Sequence, residues 1–120
     1  MIKTIQIDGV HTKMNKDLDL YVHKKIGTLD RFISRKSRES VKAEVKLKEA
    51  KGKDKSKRFT CEVIVKLPKE KITVHEKAAS FLAAIDMSEN KLKVRLKKYK
   101  EKHGDPHLHR RIINRLKNPR

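Results

Sequence analysis

The chain has 120 residues, 40% of them charged, and sets 33 Lys and Arg against 15 Asp and Glu for a formal net charge of +18. That length makes one domain with room for a short tail. So much like charge opposes a compact monomer unless a polyanion offsets it, which leaves RNA, DNA and an anionic membrane surface as candidate partners. No apolar run approaches the roughly 18 residues needed to cross a bilayer. The N-terminus reads as a strand rather than a signal segment, and the single cysteine, Cys61, has no internal disulfide partner. Both point to a reducing, cytoplasmic setting.

In chain order, residues 2–8 read as a strand with Ile5 and Ile7 on one face and Gly9 as its end. Residues 10–14 connect it to a helix. Asn15 is a suitable N-cap, and Asp17 and Asp19 stand where the helix dipole favours negative charge. Leu18, Val22, Ile26, Leu29 and Ile33 recur at three or four, with Tyr21 and Phe32 beside them. That spacing predicts one amphipathic helix of about five turns. Gly27 falls inside it and should cost about 1 kcal/mol relative to Ala.

Val41, Ala43, Val45 and Leu47 alternate with polar residues, as do Phe59, Cys61, Val63, Val65 and Leu67. Both read as half-buried strands joined by the basic loop 51–57. Pro68 stops the second, and Ile72 and Val74 mark a shorter fourth strand. A second helix starts near Ser80 as N-cap and runs to about His103, with Gly104 as its C′ residue. Asp105-Pro106 opens a further short amphipathic pattern, Leu108, Ile112 and Leu116, amid Arg110, Arg111 and Arg115. In isolation such a helix is marginal, which leaves two readings of the tail: a disordered basic arm, or an amphipathic helix that orders on docking, the second slightly favoured, with Arg110, Arg111 and Arg115 as its contacts.

The order is β-α-β-β-β-α plus a tail. It predicts a two-layer α+β domain over residues 1–103, with a four-stranded sheet and both helices on one face, and a basic tail at 104–120. The connections leave the strand order open.

Charge is concentrated in residues 91–120, which hold twelve Lys and Arg and only two acids. Lys91, Arg95, Lys98 and Lys102 recur at i, i+4, i+7 and i+11, a stripe beside the apolar one on the second helix. Lys93, Lys97 and Lys100 occupy the other flank. A helix that is merely solvated mixes Glu with Lys at i, i+4 in comparable numbers, whereas here the bases far outnumber the acids. Rows of cations one turn apart suit the regular phosphates of a nucleic-acid backbone. Arg95 can hold a phosphate through two hydrogen bonds where Lys acts as a point charge. Lys91, Arg95 and Lys98 are expected to point away from the core, and Lys24, Lys25 and Arg31 on the first helix to extend the same positive surface.

With these residues in hand the chain resembles the ribosome hibernation promoting factor and ribosome-associated inhibitor family, also called protein Y. Ala83-Ala84-Ile85-Asp86 and the run from Asn90 through Lys91, Arg95 and Lys98 to Lys100 follow that family's second-helix pattern. Gly9, Leu18, Tyr21, Val22, Lys25, Leu29 and Asp30 align in the first half. Thr28 stands where many relatives place Lys, Leu82 where many place Tyr, and Ser80 where an acidic cap is usual. The resemblance covers residues 1–103. It implies a fold like that of double-stranded-RNA-binding domains and a non-enzymatic translation inhibitor, acting while translation is idle in stress or stationary phase. It also implies docking on the rRNA of the small ribosomal subunit in the decoding region, over the tRNA and mRNA sites. Long members carry a further dimerisation domain, for which residues 104–120 are too few.

Other signals weigh little. Tyr21 and Tyr99 lie on or beside apolar stripes, so packing explains them better than base stacking. Cys61 alternates with core residues and reads as a buried small hydrophobe. His107 and His109 lack further ligands for a metal site. His75 and Glu76, like Asp17 and Asp19, have edge and cap roles that need no acid-base chemistry. There is no Gly-rich phosphate loop. No cofactor, metal or small-molecule substrate is expected, and the free chain should be a monomer. Two rival readings are a generic double-stranded-RNA-binding module, and a basic membrane-surface or scaffold protein that uses residues 106–117.

Overall fold

Strict alternation builds the sheet. Along β2 (Lys42–Glu49), β3 (Phe59–Lys66) and β4 (Lys71–Ala78) every second residue is buried: Ala43, Val45, Leu47, then Cys61, Val63, Val65, then Ile72, Val74, Glu76, Ala78. The intervening lysines and glutamates face solvent, the pattern of a sheet covered on one side. The computed structural model describes residues 2–10, 12–51 and 55–103. The sheet order is β1-β2-β3-β4, with β1 (Thr4–Val10) parallel to β2 and the other pairs antiparallel. The connection between the parallel pair carries α1 (Lys16–Gly27), as a crossover must.

α1 begins where Asn15 Oδ1 accepts the Leu18 backbone N–H at 2.7 Å. It is shorter than the apolar spacing suggests. At Gly27 the chain tightens into a 3-10 turn (Thr28–Phe32), and a one-turn helix, α2 (Arg35–Arg38), follows. The Thr28 hydroxyl donates back to the Lys24 carbonyl at 2.9 Å, and Arg38 Nε donates to the carbonyls of Asp30 and Ile33 at 3.0 Å each. These bonds take up carbonyls that a longer α-helix would use internally. Gly27 therefore ends the helix rather than weakening its interior, and its carbonyl accepts the Ile2 N–H at 2.9 Å.

β1 starts later than expected and runs on through Gly9 to Val10. Gly9 is required by a close approach instead: a Cβ there would lie 2.9 Å from the Thr12 carbonyl oxygen and 3.1 Å from Met14 Cγ. β4 is eight residues rather than a short strand around Ile72 and Val74. α3 (Phe81–His103) starts with the Ser80 hydroxyl accepting the Ala83 N–H at 3.1 Å. Its first turn is pinned by an edge-on contact between the Phe81 and Phe59 rings, 4.7 Å between centroids.

Leu18, Val22, Ile26, Leu29 and Ile33 meet Ala84, Ile85, Leu92, Leu96 and Tyr99 above the sheet in one apolar core. The result is the expected two-layer α+β arrangement of β-α-β-β-β-α order, with the helices on one face. Residues 104–120, and with them Arg110, Arg111, Arg115 and the proposed tail helix, lie outside the described residues.

Candidate nucleic-acid interface

Burying Ala84, Ile85, Leu92, Leu96 and Tyr99 fixes the rotation of α3, and this sets where its cations go. Lys91, Arg95, Lys98 and Lys102 fall on the flank over β4. Lys93, Lys97 and Lys100 fall on the flank toward α1. The two flanks meet only across the crest of the helix, where Lys97 and Lys98 adjoin.

The β4 flank is not a free row of cations. Lys91 Nζ pairs with Glu76 Oε1, a carboxylate in phase with the buried residues of β4. Arg95 Nη1 donates to the Thr73 carbonyl at 2.6 Å, and Lys102 Nζ lies 4.0 Å from Glu70. The Arg95 bond occupies a backbone acceptor on the sheet's edge strand and also fixes the guanidinium. Lys98 pairs with no acid among the described residues. Together Arg95, Lys98, Lys102 and Lys71 line a groove of about 330 Å³ between α3 and β4, with Ile72 and Tyr99 beneath and Glu70 as its acid.

The α1 flank is built around Asp86. Its Oδ1 accepts the Tyr21 hydroxyl at 2.5 Å and lies 3.8 Å from Lys25 Nζ, which sits 5.6 Å from the Tyr21 ring centre. Further along, Lys97 and Arg31 both lie over the Phe32 ring, 5.5 and 4.9 Å from its centre. Lys93 pairs with Glu89 at 3.5 Å. Lys24 is exposed.

The expected single positive surface is thus corrected. Lys25 contacts one flank of α3, while Lys91, Arg95, Lys98 and Lys102 lie on the other. Lys91 also does not point freely away from the fold, since it neutralises a buried carboxylate. Sequence reasoning passed over Glu76 as an edge residue, although its alternation with Val74 and Ala78 marks it as inward-facing. It likewise gave Asp86 no role beyond a family match. Tyr21 serves packing and the Asp86 contact, and Tyr99 is buried, as expected.

The Asp86 hydrogen bond, then burial and the charges of Asp86 and Glu89, push the Tyr21 phenol up to about 12. In the unfolded chain the phenol ionises near its ordinary value of 10.0. Stability contributed here is therefore complete below that value and is lost as pH rises toward 12. Asp86→Asn should bring the tyrosinate titration, followed by ultraviolet absorbance, back toward its ordinary range; an unmoved curve would deny the contact.

The sequence profile of the sigma 54 modulation protein / S30EA ribosomal protein family matches residues 5–104, which takes in the sheet, α1 and all of α3. The chain belongs to this family. The fold places it beside the N-terminal domain of Protein Y from Thermus thermophilus, with a TM-score of 0.68 and 28% identity over 80% of this chain and 98% of that one. A ribosomal subunit interface protein from Coxiella burnetii shares the fold at a TM-score of 0.64 and 23% identity, over 81% of this chain and 97% of that one. No curated protein matches the chain significantly. As a member of the S30EA family the chain keeps the helix-on-sheet scaffold of these relatives, with its cations divided between the two flanks of α3. None of its helices, among the described residues, is long and apolar enough to cross a membrane.

Proposed function

We propose that this protein is a ribosome-associated, non-catalytic inhibitor of translation that docks on small-subunit rRNA in the decoding region and occludes the tRNA and mRNA sites. Family membership supports ribosome association, as do the Protein Y domain and, by its name, the subunit interface protein. The observation that carries the RNA contact is the β4-flank groove, where Arg95 is held rigid and Lys98 and Lys71 stand ready for phosphate oxygens. α3 works as a ridge rather than a plate. Phosphates engage Arg95, Lys98 and Lys102 on one side and Lys25, Lys97 and Arg31 on the other, while Lys91 serves mainly to support the ridge. A rigid ridge that fits between rRNA backbones blocks RNA that would use the same space.

The contact is with phosphate and shape, because Tyr21 and Tyr99 are engaged elsewhere and offer no stacking platform. Neutralising about six phosphates makes affinity fall roughly a thousandfold between 50 and 200 mM salt. The test is co-sedimentation with purified small subunits across that range, with peptide synthesis in a cell extract measured in parallel. Binding and loss of synthesis together are expected. Equal affinity for a free RNA duplex in competition would reduce the protein to a general RNA binder, and synthesis at full rate under saturating protein would refute inhibition.

A further inference from the structure

The helix-free face of the sheet carries a second charge pattern. Register sets Lys42 opposite Lys66 and Lys66 opposite Lys71, so three lysines stand side by side across β2, β3 and β4. Adjacent strands are only about 4.8 Å apart, and like charges placed directly opposite weaken a sheet. Glu44 offsets part of this: it accepts from Lys66 Nζ at 2.9 Å, which holds its carboxyl below the usual range. Edge protection explains Lys71, because β4 is an outer strand. It does not explain Lys42 and Lys66, which sit on the two inner strands.

The row also has a neighbour. Lys71 lines the α3 groove with Arg95, Lys98 and Lys102. The cations of the groove therefore continue round the β4 edge, through Lys71, to Lys66 and Lys42. Lys69 stands exposed in the turn between β3 and β4, closed by the Leu67 N–H bond to the Glu70 carbonyl at 2.9 Å. Along the six-residue track Arg95, Lys98, Lys102, Lys71, Lys66 and Lys42, the nearby acids are Glu70 and Glu44.

We propose that the Lys42–Lys66–Lys71 row is a second RNA-backbone contact, on the face away from the helices, and that it holds a phosphodiester strand that leaves the α3 groove around the edge of β4. The proposal rests on the ribosome-binding reading and adds a surface to it. A polyanion is the occupant that turns the unfavourable adjacency of three ammonium groups into a gain. The protein is then held from two faces, as a wedge between RNA segments rather than as a lid on one.

The decisive comparison is K42Q/K66Q/K71Q against an equal-charge control, K13Q/K16Q/K57Q, whose lysines are exposed and lie off the track. Binding to purified small ribosomal subunits is measured against salt, with thermal unfolding alongside. For the row variant the slope of log affinity against log salt should shrink by about two to three, and for the control by less than one. The unfolding midpoint of the row variant should hold or rise, because repulsion is relieved. K42R/K66R/K71R should bind like the unaltered protein, and the single changes K66Q and K71Q should each reduce the slope by about one. Equal slopes for row and control variants, with the unaltered protein binding normally, overturn the proposal and leave the functional reading standing. A lowered midpoint with binding unchanged per folded molecule, or self-association with unchanged binding, shows a structural or edge-protecting row and overturns it as well. Failure of the unaltered protein to bind small subunits sinks both.

Discussion

Arg95→Ala combined with Lys98→Ala is expected to weaken binding to small ribosomal subunits about a hundredfold at physiological salt, with the fold unchanged. The size follows from two phosphate contacts, each charge-assisted and worth about 1.4 kcal/mol or more, a factor of ten apiece. Arg95 contributes more than its charge. Its bond to the Thr73 carbonyl at 2.6 Å holds the guanidinium over the groove before RNA arrives, so little freedom is lost on binding. Lys98 has no acid to release among the described residues. The Thr73 carbonyl left behind lies at an exposed edge and can turn to water, so the thermal midpoint should stay within about 2 °C. Arg95→Lys alone should recover charge without the fork and restore only part of the loss. Co-sedimentation at several salt concentrations measures all of this. Near-normal binding by the double variant would remove the groove from the interface.

The second large effect falls on stability. Lys91→Ala should destabilise the protein by about 2 kcal/mol and lower the unfolding midpoint by roughly 10 °C. The Glu76 side chain is 8% exposed and its ammonium partner 57% exposed. Loss of Lys91 strands a carboxylate among apolar neighbours, which costs about 3–5 kcal/mol for a fully enclosed pair; the solvent reach of Lys91 brings that down. Glu76→Gln in the same chain should return at least half of the loss, because a neutral amide is easier to keep there than a bare charge. Thermal unfolding of the two singles and the double gives the coupling directly. Additive effects would mean that the pair does not form. A ribosome-binding defect in Lys91→Ala must be read against this loss, whereas Arg95 and Lys98 carry no such complication.

Sequence periodicity sufficed for β2 and β3, where the two-residue repeat is unmistakable. It also located the caps at Asn15 and Ser80, whose side chains do bond the first-turn amides. It failed where two periods are close. Ile26, Leu29 and Ile33 are spaced three and four apart, which fits 3.6 residues per turn and a tightened 3-10 turn equally well over so short a stretch. What separates the two is the Arg38 guanidinium reaching back to Asp30 and Ile33, a contact no spacing reveals. β4 looked short because His75, Glu76 and Lys77 are all polar. Only the salt bridge from α3 makes an inward Glu76 tolerable. At the interface, the residue types and the stripe on α3 could be read directly. Which flank faces α1 and which faces β4 could not, since that depends on the strand order and on where the crossover lays α1 down. The Lys42, Lys66 and Lys71 row is invisible in sequence for the same reason: its members become neighbours only through register.

Cys61 lies wholly inside the sheet's covered face. Burial, helped by the charges of Glu76 and Glu62 and partly opposed by the Ser88 hydroxyl, raises its thiol to about 11. Almost no thiolate therefore exists at neutral pH, and no reagent reaches the sulfur while the layers are closed. The chain thus carries an internal gauge of its own opening: the rate at which an alkylating agent captures this lone thiol reports how often helix and sheet part, on the free protein or on a ribosome, without an engineered probe.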